Sequence, residues 1–172
     1  TTELAPINCM SPYALQKYAS EQYALILGER FEIPVVSLRY FNVYGPRSFN
    51  PESRLSAYSS VIGVFNNQLT NHQMLTITGD GSQSRDFVHD RHVAKANVVA
   101  AMSDVAGEVF NVGFGKAYTI LETAKFFSDD YTFISERKGE ALATLADISK
   151  IKRELGWAPQ ITLADGIKDL KE

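Results

Sequence analysis

The chain has 172 residues, 45% of them apolar, with 17 basic and 20 acidic side chains and a formal net charge of −3. That length is enough for one ordinary domain with a core, and the acidic balance excludes the electrostatic footprint of a nucleic-acid binder. No apolar run approaches the roughly 18 residues of a membrane span, and the lone Cys9 makes neither an internal disulfide nor a CxxC metal site, so the expected setting is cytoplasmic, without membrane or metal.

Residues 1–10 hold Pro6 and Asn8 without periodicity and read as an approach loop. Ser11-Pro12 is a helix start, with Ser as N-cap and Pro at the first helical position. The helix should reach about residues 28–31, with Leu15, Tyr18, Ala19, Gln22, Leu25 and Ile26 along one stripe. The β-branched run 33–40 predicts a buried strand, parallel because a helix precedes it. Residues 42–55 carry Gly45, Pro46 and Pro51 and read as a long loop. Then come a helix over 56–69, a strand over 74–78 ended by Gly79-Asp80-Gly81, and a helix over 92–102. A strand over 108–112 follows, and Thr119 with Glu122 forms a capping-box pattern opening a helix to Phe127. A strand over 131–134, a helix capped by Asp147 and a last helix opened by Thr162 and Asp165 complete the chain. Alternating helices and short apolar strands define an α/β chain. No GxGxxG or GxxGxxG phosphate turn occurs in the sequence. Met74, Met102 and the Phe residues read as core, His89 as a structural residue at the core edge, and Cys9 has no base partner in reach.

Tyr13 and Lys17 stand four apart and share one helix face. A phenol is a poor base near neutrality, and a neighbouring ammonium favours its phenolate, so this spacing suits proton transfer. Arg85-Asp86 reads equally as a solvated ion pair, 137–140 as a charged turn, and Asn42 as a loop residue satisfying backbone.

Ser11-Pro12-Tyr13-Ala14-Leu15-Gln16-Lys17, then Arg39-Tyr40-Phe41-Asn42-Val43-Tyr44-Gly45-Pro46-Arg47, then Gly79-Asp80-Gly81-Ser82-Gln83-Ser84-Arg85-Asp86-Phe87-Val88-His89 occur in order. Phe110-Asn111-Val112-Gly113, Glu136-Arg137-Lys138-Gly139-Glu140 and Ala146-Asp147-Ile148-Ser149-Lys150 follow. Together they resemble the extended short-chain dehydrogenase/reductase family, in its NAD-dependent epimerase/dehydratase branch, and most of all its UDP-glucose 4-epimerase-like members.

The resemblance implies the C-terminal part of a Rossmann-type, doubly wound, mostly parallel sheet together with a small α/β substrate-binding domain. Residues 1–48 would end the NAD-binding domain. Residues 49–172 would form mainly the nucleotide-sugar region, with some segments returning to the sheet. Tyr13 would be the acid/base and Lys17 would hold the nicotinamide ribose, with Tyr40 and Phe41 beside the cofactor NAD. Asn42 would bind the sugar-nucleotide diphosphate, Arg85 and Arg137 would clamp phosphates and nucleotide, and Glu140 would accept from ribose hydroxyls. Ser60 and the strand residues Thr76, Ile77 and Thr78 would line the nucleotide. Thr144, four after Glu140, falls where such epimerases place a residue limiting sugar size, and its small side chain leaves room for an N-acetylated sugar.

Two departures from the family pattern stand out. Asp90-Arg91-His92 replaces an apolar residue and two acids, with Asp90 still able to cap the next helix. Only 12 residues precede Tyr13, so the Gly-rich half of the family fold is expected to be missing and the chain to be inactive alone. The function so implied is UDP-hexose 4-epimerisation, as a homodimer through the Tyr13 helix when full-length. The alternatives are a 4,6-dehydratase or decarboxylase, or a non-catalytic nucleotide-sugar-binding fragment.

Overall fold

In the computed structural model, which describes residues 1–49, 60–136 and 141–171, the chain opens into a 19-residue helix, α1 (Pro12–Arg30). Its start is built as the sequence predicts: Ser11 Oγ accepts from the Ala14 N–H at 3.1 Å, with Pro12 at the first turn. Arg137 and Glu140 lie outside the described residues.

After α1 come β1 (Val36–Tyr40), β2 (Asn42–Tyr44), α2 (Val61–Thr70), β3 (Leu75–Thr78), β4 (Ser84–His89) and α3 (Asp90–Ala101). Then follow β5 (Glu108–Val112), β6 (Ala117–Thr119), α4 (Ile120–Lys125), β7 (Tyr131–Ile134), α5 (Ser149–Leu155) and α6 (Leu163–Lys171). β1 pairs in parallel with β5, Tyr40 opposite Val112, and β3 in parallel with β7, Leu75 opposite Tyr131. β4 lies between β2, parallel, and β6, antiparallel. The molecule is thus α/β with mainly parallel pairing, and among the described residues the outer edge of β1 carries no further strand.

The sheets feed two cores. Tyr44, Phe65, Ile77, Phe87, Phe127 and Leu163 belong to one; Phe110, Val112, Ala146, Ile148, Ile151 and Trp157 belong to the other. α1 contributes little to either: Gly28 is its one buried residue, and Leu15, Tyr23 and Ile26 are 58%, 68% and 60% exposed. Of the stripe expected on this helix, Leu15, Ala19 and Ile26 are exposed and Tyr18, Gln22 and Leu25 are half-buried. Met74 and Met102 are also corrected from core to surface, at 48% and 82% exposure. No described helix is long and apolar enough to cross a membrane.

Other elements differ in detail. The expected loop after Asn42 begins with strand β2, because its backbone completes a ladder with 87–89. The segment 84–89, between the expected turn and the expected helix, forms strand β4. α2 begins at Val61, capped by Ser60 Oγ on the Gly63 N–H at 3.1 Å. The capping box of α4 is present as expected. α3 is capped by His89, whose Nδ1 accepts from the Arg91 N–H at 3.2 Å, so Asp90 is the first helical residue rather than the cap. Asp147 precedes the N-cap Ile148 of α5, yet its carboxylate takes the Ser149 N–H at 2.9 Å.

His92, in the place of a family acid, ties α3 to the approach of α6. Its Nε2 accepts from the Gln160 and Ile161 N–H groups at 3.0 and 3.3 Å, while Trp157 Nε1 donates to its carbonyl at 3.1 Å. Nε2 must be unprotonated to accept, and burial followed by the neighbouring His89 lowers the His92 pKa. The unfolded chain therefore binds the extra proton first, so stability is full above the ordinary histidine pKa of about 6.5 and falls as pH drops below it. Thermal melts between pH 7.5 and 5 should show this decline, and His92→Gln should flatten it; an equally steep decline in that variant would remove His92 as the cause.

Candidate active site

Tyr13, Lys17 and Glu21 lie at four-residue spacing along α1, so they share its face toward β1. Glu21 fixes that face. Arg39 Nε and Nη2 each donate to its carboxylate at 2.8 Å, a two-pronged pair, and Ser37 Oγ adds a longer 3.4 Å contact. The Glu21 side chain is only 8% exposed, and the guanidinium holds its carboxyl below the usual range. Arg39 Nη1 also donates to the Glu3 carbonyl at 3.1 Å, drawing the approach loop to the same point. One turn from this anchor the Lys17 ammonium stands 5.6 Å from the centre of the Tyr13 ring. Both line a hollow of about 670 Å³ with Cys9, Ser37, Leu38 and Tyr40. The Tyr40 hydroxyl donates to Asn97 Oδ1 at 2.8 Å, and Phe41 packs against the second core.

A second cluster forms on β2 and β4. Asn42 Nδ2 donates to the Asp86 carbonyl at 3.1 Å and to Thr144 Oγ1 at 3.0 Å, across 102 positions of sequence. Thr144 is brought there by main-chain bonds that extend β4: Ser84 N–H to Leu142 O at 2.9 Å and Thr144 N–H to Ser84 O at 3.1 Å. Arg85 is half-buried, its Nη1 donating to Ser84 O at 2.9 Å. Thr76 is engaged by Gln68 through both its hydroxyl and its N–H, at 2.8 and 3.2 Å. Ile77 is fully buried, so any ligand contact there runs through backbone. The Thr78 carbonyl accepts from Gln83 Nε2 at 2.9 Å.

Asp86 was not singled out as a site residue, and its setting is unlike a solvated pair. It is fully buried, and its carboxylate accepts from the N–H groups of Phe114 at 2.7 Å, Gly115 at 2.9 Å and Ala146 at 3.0 Å. Burial raises its pKa against the opposing pull of those donors. A Cβ on Gly113 would sit 2.5 Å from the Ala146 Cβ and 2.8 Å from Oδ2, which is why the turn after β5 needs glycine. The signal in the sequence was an acid directly before the apolar pair Phe87-Val88. Among the described residues no group of three His, Cys, Asp or Glu gathers to hold a metal.

The general model of the NAD dependent epimerase/dehydratase family matches residues 1–113, and the chain belongs to that family. Among curated relatives it is similar to a putative UDP-glucose 4-epimerase of Methanocaldococcus jannaschii, at 37% identity over 95% of this chain and 53% of that protein. Among solved structures it is similar to a UDP-glucose 4-epimerase from Thermotoga maritima with UDP-glucose (TM-score 0.90, 31% identity, 99% of this chain and 55% of that one). It is also similar to a UDP-N-acetylglucosamine 4-epimerase from Methanobrevibacter ruminantium in complex with UDP-N-acetylmuramic acid (TM-score 0.85, 35% identity, 96% of this chain and 55% of that one). The chain spans about half the length of these relatives.

Asp86→Asn keeps the shape but turns an NH₂ toward at least one backbone donor. Losing a charge-assisted bond and stranding a buried N–H should cost about 2–4 kcal/mol, read as a lower denaturant midpoint. A change below about 0.5 kcal/mol would show that the carboxylate is not what holds the two segments.

Proposed function

We propose that this chain supplies the acid–base helix and the sugar-nucleotide side of an NAD-dependent nucleotide-sugar 4-epimerase acting on UDP-hexoses in the cytoplasm. The observation that carries this reading is the Tyr13–Lys17 pair, stacked at 5.6 Å on the hollow beside β1. Family membership supports it.

The residues present fit one end of the cofactor. A phenol, an ammonium and the apolar side of β1 border the hollow, which suits a nicotinamide ribose, whereas the chain's sequence holds no Gly-rich phosphate turn. When bound, NAD supplies a hydride acceptor that can return the hydride. Tyr13 Oη takes the proton of the sugar 4-hydroxyl and gives it back after the sugar has presented its other face. Lys17 holds the ribose hydroxyls, and Tyr40 and Phe41 border the ring. Arg85, with Arg137 and Glu140, takes the phosphates and nucleotide ribose, a task suited to guanidinium. Ser60 and residues 76–78 line the base, and Thr144 leaves space for an N-acetyl group.

In domain terms, residues 1–48 together with β5 belong to the cofactor-binding sheet and the rest mainly to the substrate side. The parallel pairing of β1 with β5 supports that division. The exposed Leu15, Tyr23 and Ile26 of α1 support pairing of full-length copies through this helix, and the uncovered β1 edge supports inactivity of the chain alone.

Assay of the full open reading frame against UDP-glucose, UDP-N-acetylglucosamine and UDP-glucuronate, with products separated by chromatography, tests the reaction class. The expected products are 4-epimers; a 4-keto-6-deoxy sugar or a pentose would reassign the chain to dehydration or decarboxylation, and no turnover would favour a binding role. Tyr13→Phe should lower kcat by about 10²–10⁴-fold with little change in KM. Thr144→Tyr should cut N-acetylhexosamine turnover by at least about tenfold while sparing plain hexose; equal loss of both would exclude a size gate.

A further inference from the structure

Glu3 bonds to both strands of the β1–β5 sheet at one level. Arg39 and Asn111 stand opposite each other in the register of that pair. The Glu3 carbonyl accepts from Arg39 Nη1 at 3.1 Å, and its carboxylate Oε1 accepts from the Asn111 N–H at 2.9 Å. That N–H has no partner in β1. The Phe41 N–H donates to the Val112 carbonyl at 3.0 Å, so alternation along β5 turns the Asn111 N–H to the other side. No described strand pairs there, and Asn111 is 2% exposed. Without the carboxylate this amide would be stranded out of water.

From Glu3 the chain runs to Ser11, the cap of α1, and borders the hollow on the way. Ile7, Asn8 and Cys9 line it together with Tyr13, Lys17 and Arg39. Among the described residues the span 4–10 makes one hydrogen bond, a turn from the Ala5 N–H to the Thr2 carbonyl at 3.2 Å. Leu4, Ile7 and Met10 are exposed, so apolar packing adds little hold. The span is therefore fixed at its ends, by Glu3 on the sheet and by the Ser11 cap. We infer that Glu3 is a positioning residue for the hollow: its carboxylate pins residues 7–9 as one wall of the space that Tyr13 and Lys17 line. The pin follows from these bonds; that the wall shapes a nicotinamide-ribose site rests on the reading proposed above. A ligand meeting a formed wall spends no affinity on ordering it, whereas a loosened wall must be ordered on binding.

Cys9, the one cysteine of this chain, reads the state of the wall without recourse to turnover. In the full-length protein, N-ethylmaleimide labelling of the Cys9 peptide is followed by mass spectrometry, with and without NAD. Glu3→Ala should speed labelling about tenfold, the scale of one lost hydrogen bond to a charged group. Glu3→Asp, a methylene short of the Asn111 amide, should speed it as well. Glu3→Gln keeps an oxygen for that amide and should stay within about twofold of wild type. Rates within about twofold of wild type in both the Ala and Asp variants, or equal speeding in Glu3→Gln, overturn the inference. So does faster labelling matched by an equal loss of amide protection across the whole chain, the mark of a merely structural role. NAD should protect Cys9 in the wild type, and the concentration for half-protection should rise at least about threefold in Glu3→Ala. Absence of protection in the wild type removes the NAD reading of the hollow, while the comparison of Glu3 variants still decides the pin.

Discussion

The buried carboxylate of Asp86 is the constraint on which the arrangement around β2 and β4 depends. A charge removed from water is tolerated only where fixed donors replace its hydration. Here those donors are backbone N–H groups from two separate segments, the turn after β5 and the stretch before α5. Asp86 stands between Phe87, in one core, and Ala146, in the other. The requirement to satisfy one charge thus joins the two apolar clusters, and the same residue's backbone sets Asn42 and Thr144. The glycine at 113 follows from the same closeness, since any side chain there would press on Ala146 and on the carboxylate.

The α1 side is built on another principle. With one buried residue, this helix takes little stability from its own apolar packing. Its register against β1 is set instead by the Arg39–Glu21 pair, 27% exposed on the arginine side. A two-pronged guanidinium–carboxylate contact fixes angle as well as distance, and that suits a helix that must carry Tyr13 and Lys17 at a defined height above the strand. The Asp86 cluster is thus positioned by desolvated backbone donors, the Tyr13–Lys17 face by a charged pair.

What the sequence made legible was local. Ser11-Pro12, the Thr119–Glu122 box and the apolar runs of β1 and β5 encode their elements within a few residues. Strand β4 was hidden because its charged start, Arg85-Asp86, reads as surface until burial and backbone donors are known. β6 is only three residues long, too short for a period to show. Tyr13 and Lys17 were visible from spacing on a helix face. The Asn42–Thr144 bond spans 102 positions and exists only once β4 has been extended by the chain around Ala143. Met74, Met102 and the α1 stripe misled for one reason: apolar character says that a residue can be covered, and the fold decides whether it is.

The sparse burial of α1 has a thermodynamic consequence. Local opening free energies scale with the apolar contacts that must be broken, so a helix with one buried residue opens at low cost. Whatever docks over Leu15, Tyr23 and Ile26, or along the open edge of β1, is linked by mass action to the order of the helix bearing Tyr13. Under the role proposed for Tyr13, assembly and acid–base competence would then share one equilibrium, and tighter assembly would appear as a better-ordered phenol without any change in the residues around it.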